Sequence, residues 1–262
     1  MTVRRSVLGV PAAATAALAA IGAQAWYAGH RPLPCFADLD PSGTFGPDGA
    51  PEVRMALIGD STVTGPGLDD ADELWMRQVV RRLADQYRIS VQSHAVGGAR
   101  ARDVLMYQVR AALRHAPDVA IVSVGANDAL RQLRIGRFEA ELTAIVTALR
   151  ATGALVVLAG VGDLGTAPRL PFPLKVVVSG RSRAADRIHT RVAARHDGTV
   201  KVPIGELTNA LFRRGPELFC ADLFHPNRAG HEVWADAAYP VLEGVLAQVS
   251  SASTTRAANA AS

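Results

Sequence analysis

From residue 53 onward the chain alternates short apolar runs with amphipathic stretches, a pattern that predicts strands and helices in turn. Val53 to Ile58 is mostly apolar and breaks at Gly59-Asp60-Ser61-Thr62, as a buried strand does on entering a turn. Glu73 to Tyr87 sets Leu74, Trp75, Val79, Val80 and Leu83 on one helical stripe with arginines between them. Ile89 to Val96 reads as a second strand ending at Gly97-Gly98, Arg102 to His115 as a helix, and Asp118 to Val124 as a third strand ending at Gly125. Phe138, Leu142, Ile145, Val146 and Leu149 mark the next helix, and Ala154 to Ala159 and Val200 to Ile204 read as further strands. Such alternation predicts an α/β fold: a parallel sheet of about five strands covered by helices on both faces, joined by right-handed crossovers.

The remaining stretches set the domain limits. Residues 1–28 begin with Arg4 and Arg5, continue through an uncharged run from Ser6 to Ala25, and carry Ala23-Gln24-Ala25, a small-x-small cleavage pattern. They read as a signal peptide or, given the length of the run, an N-terminal membrane anchor, so residues 6–28 are candidates for membrane association. Either reading places the domain outside the cytoplasmic membrane, secreted or anchored on its outer side. Residues 29–52 hold five prolines among glycines and aspartates and read as a linker. The folded domain is then 53–249, closing with a helix from Asn227, a candidate cap, to Val249. The Ser/Ala/Thr-rich residues 250–262 read as a disordered tail. Gly160 to Gly180 interleaves Pro168, Pro171 and Pro173 with Leu170, Phe172 and Leu174. A long apolar loop at a strand end is either a wall or lid of a site or a cover over the core.

Composition narrows the function classes. The 262 residues are 49% hydrophobic, ample for a core, and their formal charge of +4 is spread without a basic block. Nucleic acid is therefore a poor partner. No set of metal ligands has convincing spacing, and nothing calls for a cofactor. The acidic cluster Asp69, Asp70, Asp72 and Glu73 is explained by the dipole of the helix it precedes. Cys35 and Cys220 are too far apart in sequence for a metal or redox motif; in an exported protein they are either one disulfide or two thiols.

Chemistry collects at the strand ends. Ser61 follows the first predicted strand, Gly97-Gly98 the second and Gly125-Ala126-Asn127-Asp128 the third, which puts them on one rim of a parallel sheet. Asp222-Leu223-Phe224-His225-Pro226 lies just before the last helix, with the carboxylate one turn from the imidazole. Serine is a weak nucleophile that needs a neighbouring base, for which His225 is the candidate, and Asp222 would hold its tautomer. Ser61 N–H, a glycine N–H from Gly97 or Gly98, and the Asn127 side-chain amide are candidate donors to an oxyanion. Taken alone, Gly-Asp-Ser is turn chemistry, and His94, His231, Asp60 and Asp128 read as packing or loop-bracing residues.

Together these motifs resemble the SGNH/GDSL hydrolase family over about residues 53–249. Ser61 matches the family serine in Gly-Asp-Ser, Gly98 its glycine, Asn127 the asparagine of Gly-x-Asn-Asp, and Asp222 and His225 the Asp-x-x-His-Pro pair. Thr62 stands where the family name has leucine, a change expected to be neutral. The resemblance implies a flavodoxin-like three-layer α/β/α sandwich and a serine esterase or lipase. Its catalytic residues would be Ser61, Asp222 and His225, with Ser61, Gly98 and Asn127 forming the oxyanion hole. The substrate would be a small-molecule, lipid or acylated cell-envelope glycan ester. An O-acyltransferase using the same acyl-enzyme is the alternative within enzymes, and a non-catalytic envelope-binding module the alternative outside them.

Overall fold

The computed structural model of the protein describes residues 9–131 and 133–260. Arg4 and Arg5, the positive start of the stretch read as a signal peptide or anchor, lie outside the described residues, as do residues 261 and 262. Helix α1 (Gly9–His30) comes first, then strands β1 (Gly43–Phe45), β2 (Glu52–Gly59), β3 (Arg88–Ser93), β4 (Val119–Ser123), β5 (Leu155–Ala159) and β6 (Thr199–Val202). They form one sheet in the order β1-β3-β2-β4-β5-β6. All neighbours are parallel except β1, which runs antiparallel to β3. Without β1 this is the flavodoxin-like order, whose switch point lies between β2 and β4.

Both faces of the sheet are covered, which is why its strands read as nearly continuous apolar runs. Val53, Met55 and Leu57 of β2 pack on one side with α3 (Trp75–Leu83) and the final helix, called α10 below (Arg228–Ala260). Ala56 and Ile58 face the opposite side. There lie a helix built from α4 (Ala101–Asp103), a π-helical turn (Val104–Gln108) and α5 (Val109–Arg114), together with α7 (Ile135–Arg150) and α8 (Leu174–Ala194). The short α6 (Ala126–Arg131) follows β4, and α9 (Ile204–Arg214) follows β6.

Three boundaries differ from the sequence reading. The lead-in 29–52 is not only a linker, because Gly43–Phe45 adds a sixth strand, paired Gly43 with Val91 and Phe45 with Ile89. Three residues among prolines give too short a run for periodicity to register, and the strand exists through its pairing with β3. The last helix starts as expected at Asn227, whose Oδ1 accepts the Gly230 N–H at 3.2 Å. It continues to Ala260 rather than stopping at residue 249, in keeping with the high helix propensity of alanine. Finally, α8 begins at Leu174, inside the stretch read as a loop to Gly180.

The end of α1 rests on that same stretch. Gln24 Nε2 donates to Phe172 O (2.8 Å), its Oε1 accepts from Leu174 N–H (3.1 Å), and Arg169 Nε donates to Ala28 O (2.8 Å). Ala28 is buried with Leu170, Leu174 and Val178. Among the described residues, no helix is long and apolar enough to cross a membrane. Both cysteines are free thiols; Cys35 is exposed and Cys220 buried.

Candidate active site

Ser61 opens a single helical turn, α2 (Ser61–Thr64), directly beyond β2. Asp60 caps it: Oδ1 accepts the Thr62 N–H at 3.0 Å and the Thr62 hydroxyl at 2.8 Å. The Thr62 hydroxyl also lies 2.6 Å from Ser123 Oγ, so threonine in place of leucine adds polar bonds to the turn and is not merely neutral. Gly59 has φ 152°, and a Cβ there would stand 2.0 Å from Ser123 O, so no side chain fits. Its backbone is held from the other face by Gln108, which donates from Nε2 to Gly59 O (3.0 Å) and accepts from Gly59 N–H at Oε1 (2.7 Å). Gln108 is buried at the end of the π-helical turn, a kind of irregularity that recurs at functional sites.

The loop before α10 brings its pair to this turn. His225 Nε2 lies 3.2 Å from Ser61 Oγ, and His225 Nδ1 lies 2.6 Å from Asp222 Oδ2. Asp222 Oδ1 accepts the N–H groups of Phe224 (2.9 Å) and His225 (3.0 Å). Burial pushes the Asp222 carboxyl up, but the hydrogen bonds from the His225 ring and the two backbone groups outweigh it and hold the pKa below the ordinary value. Nucleophile, base and orienting carboxylate thus stand in line, the arrangement that lets serine lose its proton to the ring as it attacks a carbonyl.

The candidate oxyanion donors also gather here. Gly97 donates its N–H to Asp38 Oδ2 at 2.8 Å, so that group is occupied. Gly98 has φ 80°, and its N–H makes no hydrogen bond among the described residues, so it is the freer of the two. Asn127, in the first turn of α6, donates from Nδ2 to Ala99 O at 3.2 Å and, more weakly, to Asp60 Oδ2 at 3.4 Å. Asp128 Oδ2 accepts the Ala101 N–H at 3.1 Å and ties the two loops together. His231 is buried, accepts the Trp75 N–H at 3.1 Å and is pushed down to about 3 by burial. Neither His231 nor His94 lines the recess beside Ser61.

That recess is mainly apolar, with Val124, Val161, Leu164, Ile204, Phe212, Phe219, Phe224 and Trp234 in its wall and Ser61 and His225 at its edge. Gly160 to Ala167 supply one side, so the loop after β5 is a wall of the site. Sequence reasoning missed Gln108, Asp38 and Ser123. A glutamine in a helix and an aspartate in a proline-rich lead-in carry no local signal, because both act across long sequence separations.

Two predictions follow from the supports of the turn. Gln108→Leu leaves the buried Gly59 N–H unpaired, while the Gly59 carbonyl keeps the Val96 N–H at 3.2 Å, and is expected to cost about 1–3 kcal/mol; urea unfolding with an unchanged m-value would measure it, and a stability equal to wild type would refute the clamp. Asp60 is fully buried, and desolvation raises its pKa from 3.8 to about 6 against the hydrogen bonds of Thr62, with Asp128 adding to the rise. The folded state therefore binds this proton more tightly than the unfolded state. The resulting stabilisation is full below pH 3.8 and is lost as the pH rises through about 6. Unfolding free energies of wild type and Asp60→Asn between pH 4 and 7 should diverge accordingly, wild type falling relative to the variant; parallel curves would show that Asp60 stays ionised.

Comparison with known proteins bears on the same elements. The chain is 33% identical over 201 residues to the GDSL-like esterase Rv1075c of Mycobacterium tuberculosis (strain ATCC 25618 / H37Rv), a match covering 75% of this chain and 64% of that relative. It thus spans just under two thirds of that relative's length. Among solved structures, TesA superimposes with a TM-score of 0.58 at 24% identity, covering 73% of this chain and 99% of the other. The lipase/acylhydrolase from Enterococcus faecalis gives 0.58 at 22%, covering 73% and 96%. The psychrotrophic esterase EstA from Pseudoalteromonas sp. gives 0.58 at 20%, covering 74% and 98%. These likenesses establish a shared α/β fold. The sequence profile of the GDSL-like Lipase/Acylhydrolase family matches residues 57–233, from the strand before Ser61 into α10, and the chain belongs to that family.

Proposed function

We propose that the protein is an exported serine esterase that hydrolyses carboxylic esters of small molecules, lipids or acylated cell-envelope glycans through an acyl-enzyme, without a cofactor. The observation that carries this reading is the line from Ser61 Oγ through His225 (3.2 Å) to Asp222 (2.6 Å) at the edge of an apolar recess. Ser61 Oγ attacks the ester carbonyl carbon while its proton passes to His225 Nε2, and Asp222, held ionised, stabilises the imidazolium. The carbonyl electron pair moves onto oxygen, where Ser61 N–H, Gly98 N–H and Asn127 Nδ2 donate to it; Asn127 relinquishes its 3.4 Å contact with Asp60. Collapse expels the alcohol with the proton from His225. Water, deprotonated by the same ring, then attacks the acyl carbon; the bond to Ser61 Oγ breaks, the ring returns its proton to that oxygen, and the acid is released. The acyl chain occupies the apolar recess.

Export rests on the uncharged run Ser6 to Ala25 behind Arg4 and Arg5. Cleavage after Ala25 would take Gln24 and its contacts to Phe172 and Leu174, but leave Ala28 on Arg169. Sequencing the amino terminus of the protein recovered outside the cytoplasm tests this. A start at Trp26 means cleavage, an intact start means an anchor, and recovery only in the cytoplasm would refute export.

The catalytic reading is tested with a fluorophosphonate and with a simple ester. Wild type should be labelled at Ser61, and Ser61→Ala should lose both label and turnover. Asn127→Ala should lower kcat about 10²–10³-fold with little change in KM, as expected for a donor that acts mainly in the transition state. A folded protein that takes no label and cleaves no ester would bring forward the binding-module reading.

A further inference from the structure

A second recess is lined by residues that closely follow Gly98 and Asn127 in the chain and shares no lining residue with the apolar one. It is a cleft of about 330 Å³ lined by Arg100, Arg102, Arg131, Arg134 and Arg137, with Asp128, Glu141 and the Phe138 ring. A water molecule in the liquid occupies roughly 30 Å³, so there is room for on the order of ten, or for a phosphate and its attached alcohol. Five guanidinium groups face two carboxylates, an excess of three positive charges. The carboxylates leave much of that charge unmatched. Glu141 is taken by Arg137 at 2.8 Å, and Arg100 turns to Asp103 at 3.5 Å. Asp128 is spent on the Ala101 N–H, and its burial raises its pKa toward the neutral form. Arg131 and Arg134 form no ion pair among the described residues, and Arg102 only meets Met106 Sδ at 3.4 Å.

The placement of these cations runs against local electrostatics. The amino-terminal end of a helix is its positive end and favours anions. At the start of the sixteen-residue α7 the chain instead has Arg134 as N-cap residue, making no side-chain cap, with Arg137 in the first turn and no acidic residue there. Arg131 comes from the end of α6. This costs stability unless an anion joins it; with one, guanidinium groups and the uncapped N–H groups of α7 act in the same sense.

The cleft is also tied to the site. Arg100 follows Gly98 by two residues, Asp128 follows Asn127 directly, and their loops are joined by the bonds Asn127 Nδ2 to Ala99 O (3.2 Å) and Ala101 N to Asp128 Oδ2 (3.1 Å). Resting on the serine-esterase reading above, we propose that the arginine cleft binds a phosphate group carried by the alcohol portion of the ester, so that the favoured substrates are acylated phosphate-bearing alcohols such as acyl glycerophosphates. The acyl group then lies in the apolar recess and the phosphate among the arginines, with the ester between them at Ser61.

The test compares butyryl glycerol 3-phosphate with monobutyrin, which differ only in the phosphate, on wild type and on Arg131→Gln/Arg134→Gln. Wild type should prefer the phosphate ester by about tenfold or more in kcat/KM at low ionic strength, with the preference shrinking in high salt. The double variant, its folding checked by thermal unfolding, should lose that preference by a similar factor. Calorimetry of Ser61→Ala with glycerol 3-phosphate should detect binding that the two arginine substitutions weaken. Equal rates on the two esters, or equal loss on both in the double variant, would overturn the proposal. Inorganic phosphate binding as tightly as glycerol 3-phosphate, without a preference for the phosphate ester, would also overturn it and mark the cleft as a free-phosphate site. If glycerol 3-phosphate binds but wild type cleaves neither ester, the esterase reading fails instead, and the substrate claim falls with it.

Discussion

The exit of the chain from β2 is the constraint on which the site depends. At Gly59 the backbone passes so close to Ser123 that a Cβ would lie 2.0 Å from its carbonyl oxygen, and glycine is the one residue that permits the approach. With Gln108 holding both backbone groups of Gly59 and Ser123 O accepting the Asp60 N–H, the chain is fixed on two sides just before Ser61. Ser61 therefore begins its short helix from a rigid support. Because β2 is an interior strand, flanked by β3 and β4, this support has a paired strand on each side. The 3.2 Å spacing to His225 is a consequence of that bracing as much as of the loop that carries the histidine.

Two carboxyl groups near Ser61 have been driven in opposite directions by their surroundings. Asp222 receives three hydrogen bonds, one of them from the ring it orients, and keeps its charge despite burial. Asp60 receives two at Oδ1, from Thr62, but at Oδ2 only the long contact from Asn127, and burial prevails. The difference separates their duties. An imidazolium forming at His225 is stabilised by the carboxylate that is already charged beside it, whereas a second fixed negative charge near the oxyanion loops would oppose the charge that develops on the carbonyl oxygen. A site of this kind works better when the capping residue is easily neutralised and the orienting residue is not.

The parallel sheet and the strand-end positions of Ser61, Gly98 and Asn127 were legible because buried strands write continuous apolar runs and end at glycine. The proximity of Asp222 and His225 was legible because it is local, one turn apart. Bringing that pair to Ser61 across 164 residues required the family resemblance, since no periodicity encodes it. What escaped sequence reading was held by tertiary pairing alone: β1, which exists only beside β3; Gln108, which looks like any helical glutamine; and Asp38, which occupies the Gly97 N–H from within the lead-in. The last of these separates two adjacent glycines that the sequence left equivalent. The arginines of the cleft were legible singly but not as a group, because they come from three helical segments, α4, α6 and α7, that only the tertiary fold brings together.

Strand order then determines how a substrate must lie. Ser61 follows an interior strand, and the chain around it differs on its two sides: the turn after β4 and the loop after β5, with residues of α9 and α10, wall the apolar recess, whereas Arg100 beyond β3 and Asp128 beyond β4 line the arginine cleft. The β5 side is apolar and walled by aromatic rings, so it excludes water and suits a hydrocarbon chain. The other side bears glycine N–H groups, an amide and, beyond them, guanidinium groups, all of them donors. An ester is itself divided in this way, into an acyl chain and an alcohol portion that can carry charge. For the proposed phosphate-bearing ester, the polarity of the two sides orients it before any chemistry occurs: reversing it would put a charged group among phenylalanines and leave the arginines without a counter-ion. In the proposed reaction, orientation and proximity are thereby set by desolvation on one side and charge on the other, and Ser61, His225 and Asp222 are left only the proton transfers and bond changes between them.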